Sequence, residues 1–381
     1  MAGLYVHIPF CKAKCRYCDF VSFADHDCMG DYCAALLKEI RLSAAALPKR
    51  EYESVFFGGG TPSILPVGAI SLLLHALKES FTVLPDAEIT IEANPGTLTE
   101  EKLKEYKAAG INRLSMGLQS ANDALLENVG RIHRYREFVQ NYECARAAGF
   151  DNISADIMYG LPGQTVKDHM DTIEALYRLG LDHISAYSLI VEEGTPLYTD
   201  IIGGAESLPA EDDAYLMHKK GMEFLEQLGY HRYEISNYAK PGRESRHNVN
   251  YWENGEYLGL GLNSHSAMRI EGQWLRFANT ASLPDYLSHS ARGVRPLAEP
   301  PEIIPEKEEM FETVMLGLRM TKGVDEENFR KRFGKSMEEA YGDALLSLRE
   351  KGWLLRENGF IRLTEEGLDF QNEALMSFLD D

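Results

Sequence analysis

The stretch CKAKCRYCDF sets Cys11, Cys15 and Cys18 in a Cys-x3-Cys-x2-Cys pattern close to the start of the chain. Three soft thiolates in one short loop are ligands for iron or zinc. A [4Fe-4S] cube has four irons, so three protein thiolates leave one iron open to an outside ligand, and the x3-x2 spacing suits a loop wrapped around such a cube. Zinc is the other reading: its tetrahedral shell closes with a fourth ligand, which His7, Asp19 or His26 could supply. Lys12, Lys14 and Arg16 interleave the cysteines. Their charge either lowers thiolate pKa and offsets a negative cluster, or is solvated surface. A second constellation is Gly58-Gly59-Gly60-Thr61-Pro62, where missing Cβ atoms let backbone approach a ligand or make a tight turn. A third is RHNVNYW, Arg246 to Trp252. His247, with Asn248, Tyr251 and Trp252 beside it, offers an imidazole and two flat aromatics that could ligate iron and stack on a macrocycle. The alternative is a loop packed under the main domain, with Trp252 in a core and His247 hydrogen-bonded.

The elements that must position these groups alternate between short runs rich in β-branched and aromatic residues and longer helix-period segments. Strands are expected at residues 4–8, 54–57, 88–93, 113–118, 152–158 and 183–190. Between them lie helices such as DYCAALLKEIRLSAAAL and EEKLKEYKAAG, the latter opened by a Thr97-x-x-Glu100 capping box and stopped at Gly110. Six βα units in a row predict an α/β fold with a parallel sheet. The cysteines follow the first strand and Gly58 to Thr61 the second; Glu92 ends the third, Gln119 follows the fourth, and Asp156 lies within the end of the fifth. Strand ends that each contribute an unusual residue favour a partial (β/α)6 barrel, whose C-terminal ends meet at one mouth, over a flat sheet with a single switch point.

Beyond the barrel, a helix is expected from about 211 to 228, YHRYEIS as a further strand, and a linker at Pro296, Pro300, Pro301 and Pro305. After the linker come a helix, a second capped at Asp325, a third with a Ser336-x-x-Glu339 capping box, and a hairpin turning at Asn358-Gly359. That order spells an α+β winged-helix-like C-terminal domain. The division is therefore 1–200 for the barrel, 201–295 for an extension carrying RHNVNYW, and 306–381 for the C-terminal domain.

Composition narrows the partners. The chain has 39 basic against 59 acidic residues, a net charge of -20, which opposes a general grip on nucleic acid or anionic lipid surfaces. The winged-helix-like domain carries a small basic patch, Arg330, Lys331, Arg332 and Lys335. Against so acidic a chain, a lid or docking role is expected of that domain rather than DNA binding. No apolar run reaches the length of a membrane span, and no signal-peptide pattern precedes the first strand, so a cytoplasmic protein that is not integral to a membrane is expected. In that reducing setting Cys28, Cys33 and Cys144 are read as ordinary thiols.

The cysteine motif, with Tyr17 before the third cysteine, resembles the signature of the radical S-adenosylmethionine (radical SAM) superfamily, whose members share a partial (β/α)6 barrel. LYVHIPFCKAKCRYCDF, FFGGGTPS, EANPG, SMGLQS, DIMYGLPGQT and YEISNYAKPGRESRHNVNYW further resemble the branch of oxygen-independent coproporphyrinogen III oxidases and their heme-chaperone relatives. The resemblance implies a [4Fe-4S] cluster on Cys11, Cys15 and Cys18. It implies S-adenosylmethionine (SAM) chelating the open iron, and a sulfonium that can be cleaved to a 5'-deoxyadenosyl radical. By the same likeness Gly58, Gly59, Gly60 and Thr61 approach the methionyl amine, Gln119 and Arg131 lie near the methionine moiety, and Glu92 and Asp156 line the SAM pocket. Tyr5 and Tyr17 contact the cofactors. His7 is either a second donor near the cluster or a buried histidine.

RHNVNYW is similar to the HNxxYW motif of the heme-chaperone group, which implies heme contact at His247, Asn248, Tyr251 and Trp252. Two functions follow from the resemblance. One is a chaperone that binds heme and delivers it to a recipient heme protein, with a reductant such as flavodoxin or ferredoxin serving the cluster. The other is the oxidase, which converts two propionates of coproporphyrinogen III to vinyl groups. The oxidases carry a fourth cysteine two residues after the third, and an N-terminal extension before the first strand. Here that position is Phe20 and the chain opens on the strand, which favours the chaperone. A related heme-degrading methyltransferase would be longer.

Overall fold

The computed structural model describes residues 2–379. Six strands run parallel in chain order: β1 (Ala2–Ile8), β2 (Glu51–Gly59), β3 (Thr82–Ala93), β4 (Arg113–Gln119), β5 (Ile153–Tyr159) and β6 (His183–Ser188). Alternation sorts their faces. Leu4, Val6, Ile8, Val55, Ile91 and Leu114 are fully covered in the main core. The opposite face supplies Tyr5, Phe56, Glu92, Ser115, Asp156 and Ser185, one from each strand, and all six line a single chamber of about 200 Å³. Six strands can face one chamber only if the sheet curls, so this is the expected partial barrel.

The sheet then continues on both sides. β7 (His231–Arg232), β8 (Asn237–Ala239), β9 (Glu256–Leu260), β10 (His265–Ile270), β11 (Gln273–Ala278) and β12 (Glu302–Ile304) complete twelve strands in the order β12-β11-β10-β9-β1-β2-β3-β4-β5-β6-β8-β7. β9 lies parallel to β1, with Tyr5 opposite Gly259, so seven strands rather than six point toward one mouth. YHRYEIS is not one strand: His231 and Arg232 pair with β8, Glu234 makes a single bridge to Met320, and the chain turns before β8. The proline segment is more than a linker, because it contributes β12 to the edge of the sheet.

The expected Thr97 cap is corrected. The helix Glu100–Ala109 is capped by Thr99, whose hydroxyl accepts from the Lys102 N–H, while the Thr97 hydroxyl donates to the Asn94 carbonyl. The C-terminal caps are as expected, at Asp325 and in the Ser336/Glu339 box. The hairpin Leu354–Glu357 with Phe360–Leu363, joined by Val324–Asp325, makes the three-stranded wing sheet. This domain packs against the barrel through an ion pair, Lys322 to Glu253 at 2.6 Å, a hydrogen bond that Arg332 donates to the Asn254 carbonyl at 2.7 Å, and Arg319 over the Trp252 ring at 4.6 Å. Its basic patch is matched by acid: Lys331 and Arg330 face Glu327, Lys335 faces Glu306, and Arg332 faces Glu309. Among the described residues no helix is long and apolar enough to cross a membrane.

Candidate functional site

The cysteine loop leaves β1 at the mouth and is pinned along its length. The Cys11 N–H donates to the Phe23 carbonyl at 2.9 Å, and the Arg16 N–H donates to Val129 at 3.1 Å. The Arg16 guanidinium does not serve the thiols. It turns away to Asn128 Oδ1 at 2.7 Å and Asp200 at 2.7 Å, anchoring the loop to its neighbours. Cys11, Cys15 and Cys18 are partly exposed free thiols, and burial raises the pKa of Cys18. Thr61 Oγ1 donates to Cys11 Sγ and Arg131 Nη1 to Cys15 Sγ, each at 3.5 Å. Among the described residues no three His, Cys, Asp or Glu side chains converge as a single metal ion requires. A cube, with each thiolate on its own iron, needs no such convergence.

The glycine run ends β2 beneath this loop. Gly59 has φ +109°, and a Cβ there would lie 2.5 Å from the His7 ring; a Cβ on Gly60 would lie 2.7 Å from the Phe10 carbonyl oxygen. Bare backbone is thus what brings β2 against the base of the cysteine loop. The Gly60 and Thr61 N–H groups donate to Ile8 and Phe10 at 2.9 and 2.8 Å. The tight turn is present, and the close approach seen is to the protein's own His7 ring and Phe10 backbone.

Around Gly117 three side chains meet: Asn94 Oδ1, Gln119 Nε2 and Arg131 Nη2 all lie 3.0 to 3.1 Å from where its Cβ would be. Arg131 Nη2 donates to Asn94 Oδ1 at 2.7 Å and to the Gly117 carbonyl at 2.5 Å, and Asn94 Nδ2 donates to Thr61 Oγ1 at 2.7 Å. Asn94 was missed by the sequence reading although EANPG contains it; its signal was an amide two residues beyond Glu92, on the same side of an extended chain. Gln119 occupies the left-handed region at φ 72°, at a register shift between β4 and β5. Arg131 Nε is buried with no hydrogen-bond partner among the described residues, a donor left over for a ligand.

Asp156 is corrected in position: it sits in the middle of β5 rather than at its end, opposite Gly117 and Ser185. It therefore lines the inner chamber with Glu92 and Tyr5 rather than the rim. Burial raises the pKa of both carboxyls. Glu92 is pushed up to about 8, with nearby Asp156 adding to the shift and the Gly59 N–H, 3.1 Å away, opposing it. Because the folded pKa is above the unfolded one, folding favours the protonated acid. The resulting stability is present below about pH 4.5 and is lost as pH rises toward about 8. Calorimetry of the ligand-free chain is expected to show that loss, on the order of 2 kcal/mol after allowance for solvent reaching the chamber, and Glu92→Gln should flatten most of it.

The RHNVNYW segment is a helix, Arg246–Trp252, rather than a loop, with Ser245 as its cap. It divides the four candidate residues. His247 is buried at the lower half of the barrel: Nδ1 pairs with Ser54 Oγ at 2.8 Å, Nε2 with Tyr251 Oη at 3.0 Å, and its ring stacks on Phe56 at 5.1 Å. Burial lowers its pKa to about 3, so it is neutral with both nitrogens engaged. This is the hydrogen-bonded alternative, and it corrects the expectation of an imidazole offered to iron. Asn248 lines the inner chamber. Tyr251 lines that chamber too, and with Trp252 it reaches an adjoining mouth cavity of about 600 Å³, shared with Phe20, Tyr5, Gly59 and Glu92. His7 is a buried bridge, pairing with Tyr5 Oη and the Val21 carbonyl, each at 3.1 Å. Tyr17 packs with the apolar cluster around Val129 and Leu189 behind the loop.

Residues 5–176 match the model of the radical SAM superfamily and 304–370 that of the HemN C-terminal domain. A radical SAM domain implies a [4Fe-4S] cluster and SAM. The chain is 37% identical to the heme chaperone HemW of Bacillus subtilis (strain 168), over 100% of this chain and 99% of that one. It is 33% identical to HemW of Escherichia coli (strain K12), over 99% and 98%. The mitochondrial radical S-adenosyl methionine domain-containing protein 1 of Bos taurus is 34% identical, over 99% and 87%. In fold, the chain is similar to the coproporphyrinogen III oxidase HemN of Escherichia coli, with a TM-score of 0.85 at 24% identity over 99% of this chain and 89% of that one. A thiol loop at the mouth of a curled parallel sheet, and identity above 30% to HemW proteins over at least 98% of their length, lead to one assignment: the chain belongs to the HemW heme-chaperone family of the radical SAM superfamily.

Proposed function

We propose that the protein is a heme chaperone that holds a cluster and SAM on one side of its barrel mouth, takes heme on the other, and passes the heme to a recipient protein. The observation that carries this reading is the 600 Å³ cavity, which joins the cysteine loop at Phe20 to the aromatic pair Tyr251 and Trp252. Cys11, Cys15 and Cys18 would hold the cluster. Gly58, Gly59, Gly60, Thr61, Gln119 and Arg131 would hold the methionine end of SAM, with the free Arg131 Nε toward its carboxylate. Glu92, Asp156 and Tyr5 would face the remainder from the inner chamber. When bound, the cluster and SAM supply one-electron cleavage of a sulfonium. The chain's own contribution is to orient that ligand and to keep a protonated Glu92 beneath it at neutral pH. Tyr17 would support the cluster loop from behind.

The oxidase alternative is disfavoured at Phe20, which stands where the oxidases have a fourth cysteine and is 62% exposed at the cavity lip. An exposed phenyl beside an aromatic-lined cavity suits a flat apolar ligand rather than further metal chemistry. The matched charges on the C-terminal domain and the net charge of -20 argue against nucleic acid as the partner. A cytoplasmic setting, with flavodoxin or ferredoxin as reductant, fits the free thiols. Titration of heme beside anaerobic assays of SAM cleavage and coproporphyrinogen turnover tests this. Heme uptake without protoporphyrinogen IX is expected, and protoporphyrinogen IX formation would overturn it. Phe20→Cys is expected to leave oxidase turnover at background, because a thiol at the lip rebuilds none of the substrate contacts; the same assay checks it.

A further inference from the structure

Resting on the reading that the mouth cavity takes heme, we propose that His265 is the side chain that coordinates the iron there. The cavity is lined by Phe20, Tyr251, Trp252, Tyr257 and Leu316, which can pack a flat macrocycle, and by five side chains of the His and Tyr types that ligate heme iron: Tyr5, His7, Tyr251, Tyr257 and His265. Three of these are already committed by hydrogen bonds. Tyr5 and His7 pair with each other, and His7 uses its second nitrogen on the Val21 carbonyl. Tyr251 pairs with His247. Tyr257 packs edge-on to Tyr251 at 4.6 Å, and the Arg276 guanidinium that could favour its phenolate is bound to Glu312 at 2.6 Å.

His265 differs from those three by its unengaged ring, and from Tyr257, whose phenolate burial disfavours, by its exposure. It is exposed in the cavity wall, and its ring makes no hydrogen bond or ion pair with another protein group among the described residues. An imidazole with an unengaged nitrogen, facing an aromatic-lined space, would be able to coordinate heme iron.

Its backbone is held as a ligand platform must be. His265 opens β10 and pairs with Ala278 of β11. Its carbonyl oxygen packs so closely on Gly259 that a Cβ there would lie 2.2 Å away. The preceding turn is tied to the buried Glu39 carboxyl, which accepts from the Gly261 N–H at 2.9 Å, Asn279 Nδ2 at 2.6 Å and Tyr286 Oη at 2.5 Å. The antiparallel return from β9 to β10 is what carries this histidine back to the mouth, close to the cysteine loop.

The test is a titration of ferric protoporphyrin IX into the cluster-loaded wild type, His265→Ala and Tyr257→Phe, read by binding affinity and by resonance Raman or electron paramagnetic resonance of the heme. His265→Ala should weaken binding by about tenfold or more and lose the imidazole-ligated signature, with cluster content unchanged. Imidazole added to His265→Gly should restore the signature. Tyr257→Phe should keep it. Equal affinity and an unchanged spectrum in His265→Ala overturn the inference, as does loss of the signature in Tyr257→Phe instead. A wild type that takes up no ferric protoporphyrin IX sinks the heme reading itself, whereas uptake indifferent to residue 265 sinks this inference alone.

Discussion

Each of Cys11→Ala, Cys15→Ala and Cys18→Ala is expected to abolish the brown chromophore of the anaerobically reconstituted protein, with iron content falling to roughly a tenth of wild type or less. A cube held by three thiolates has no spare protein ligand, so removing one leaves two irons without a protein ligand. The loop itself should survive, because its backbone is fixed by Phe23 and Val129 and its Arg16 by Asn128 and Asp200. Near-ultraviolet circular dichroism should therefore match wild type while iron and sulfide are lost. Cys28→Ala, Cys33→Ala and Cys144→Ala should keep the cluster. Retained colour in any of the first three, or a colourless zinc protein as wild type, would refute the assignment.

Arg131→Met is expected to raise the Kd for SAM about a hundredfold, measured by equilibrium dialysis on cluster-loaded protein. The guanidinium is pre-set by Asn94 and the Gly117 carbonyl, and it carries a buried Nε with nothing to bind. A charge-assisted pair with a carboxylate in such a place is worth roughly 3 kcal/mol, which corresponds to that factor. Arg131→Lys should recover only part of the affinity, since an ammonium lacks the planar fork. Iron content should fall little, because the single contact of Arg131 to Cys15 Sγ, at 3.5 Å, is not a ligand bond. Unchanged SAM affinity in the Met variant would remove Arg131 from the site.

Local sequence determined what depends on near neighbours. The Cys-x3-Cys-x2-Cys spacing, the period-2 strands with polar residues on one face, the glycine run at the end of β2 and the caps at Asp325 and Ser336 were all legible, because each is set by a few adjacent residues. Even there, the choice of Thr99 over Thr97 was not. Both are threonines with an acidic residue after them, and the contacts of Thr97 with Ser63 and the Asn94 carbonyl decide between the two.

Only the tertiary structure decided what depends on residues far apart in the chain. It turned RHNVNYW into a helix that spends His247 on Ser54, 193 positions away, and leaves Tyr251 and Trp252 for the mouth. It made β9 a seventh parallel strand beside β1, across more than 250 positions, and so carried His265 to the same opening. It also joined Asn94 to Arg131 and Thr61. A side chain's type and its spacing from neighbours fix what chemistry it can do. Whether its donor atoms remain free for a ligand depends on which distant partners the fold brings within hydrogen-bond reach, and no local pattern encodes that.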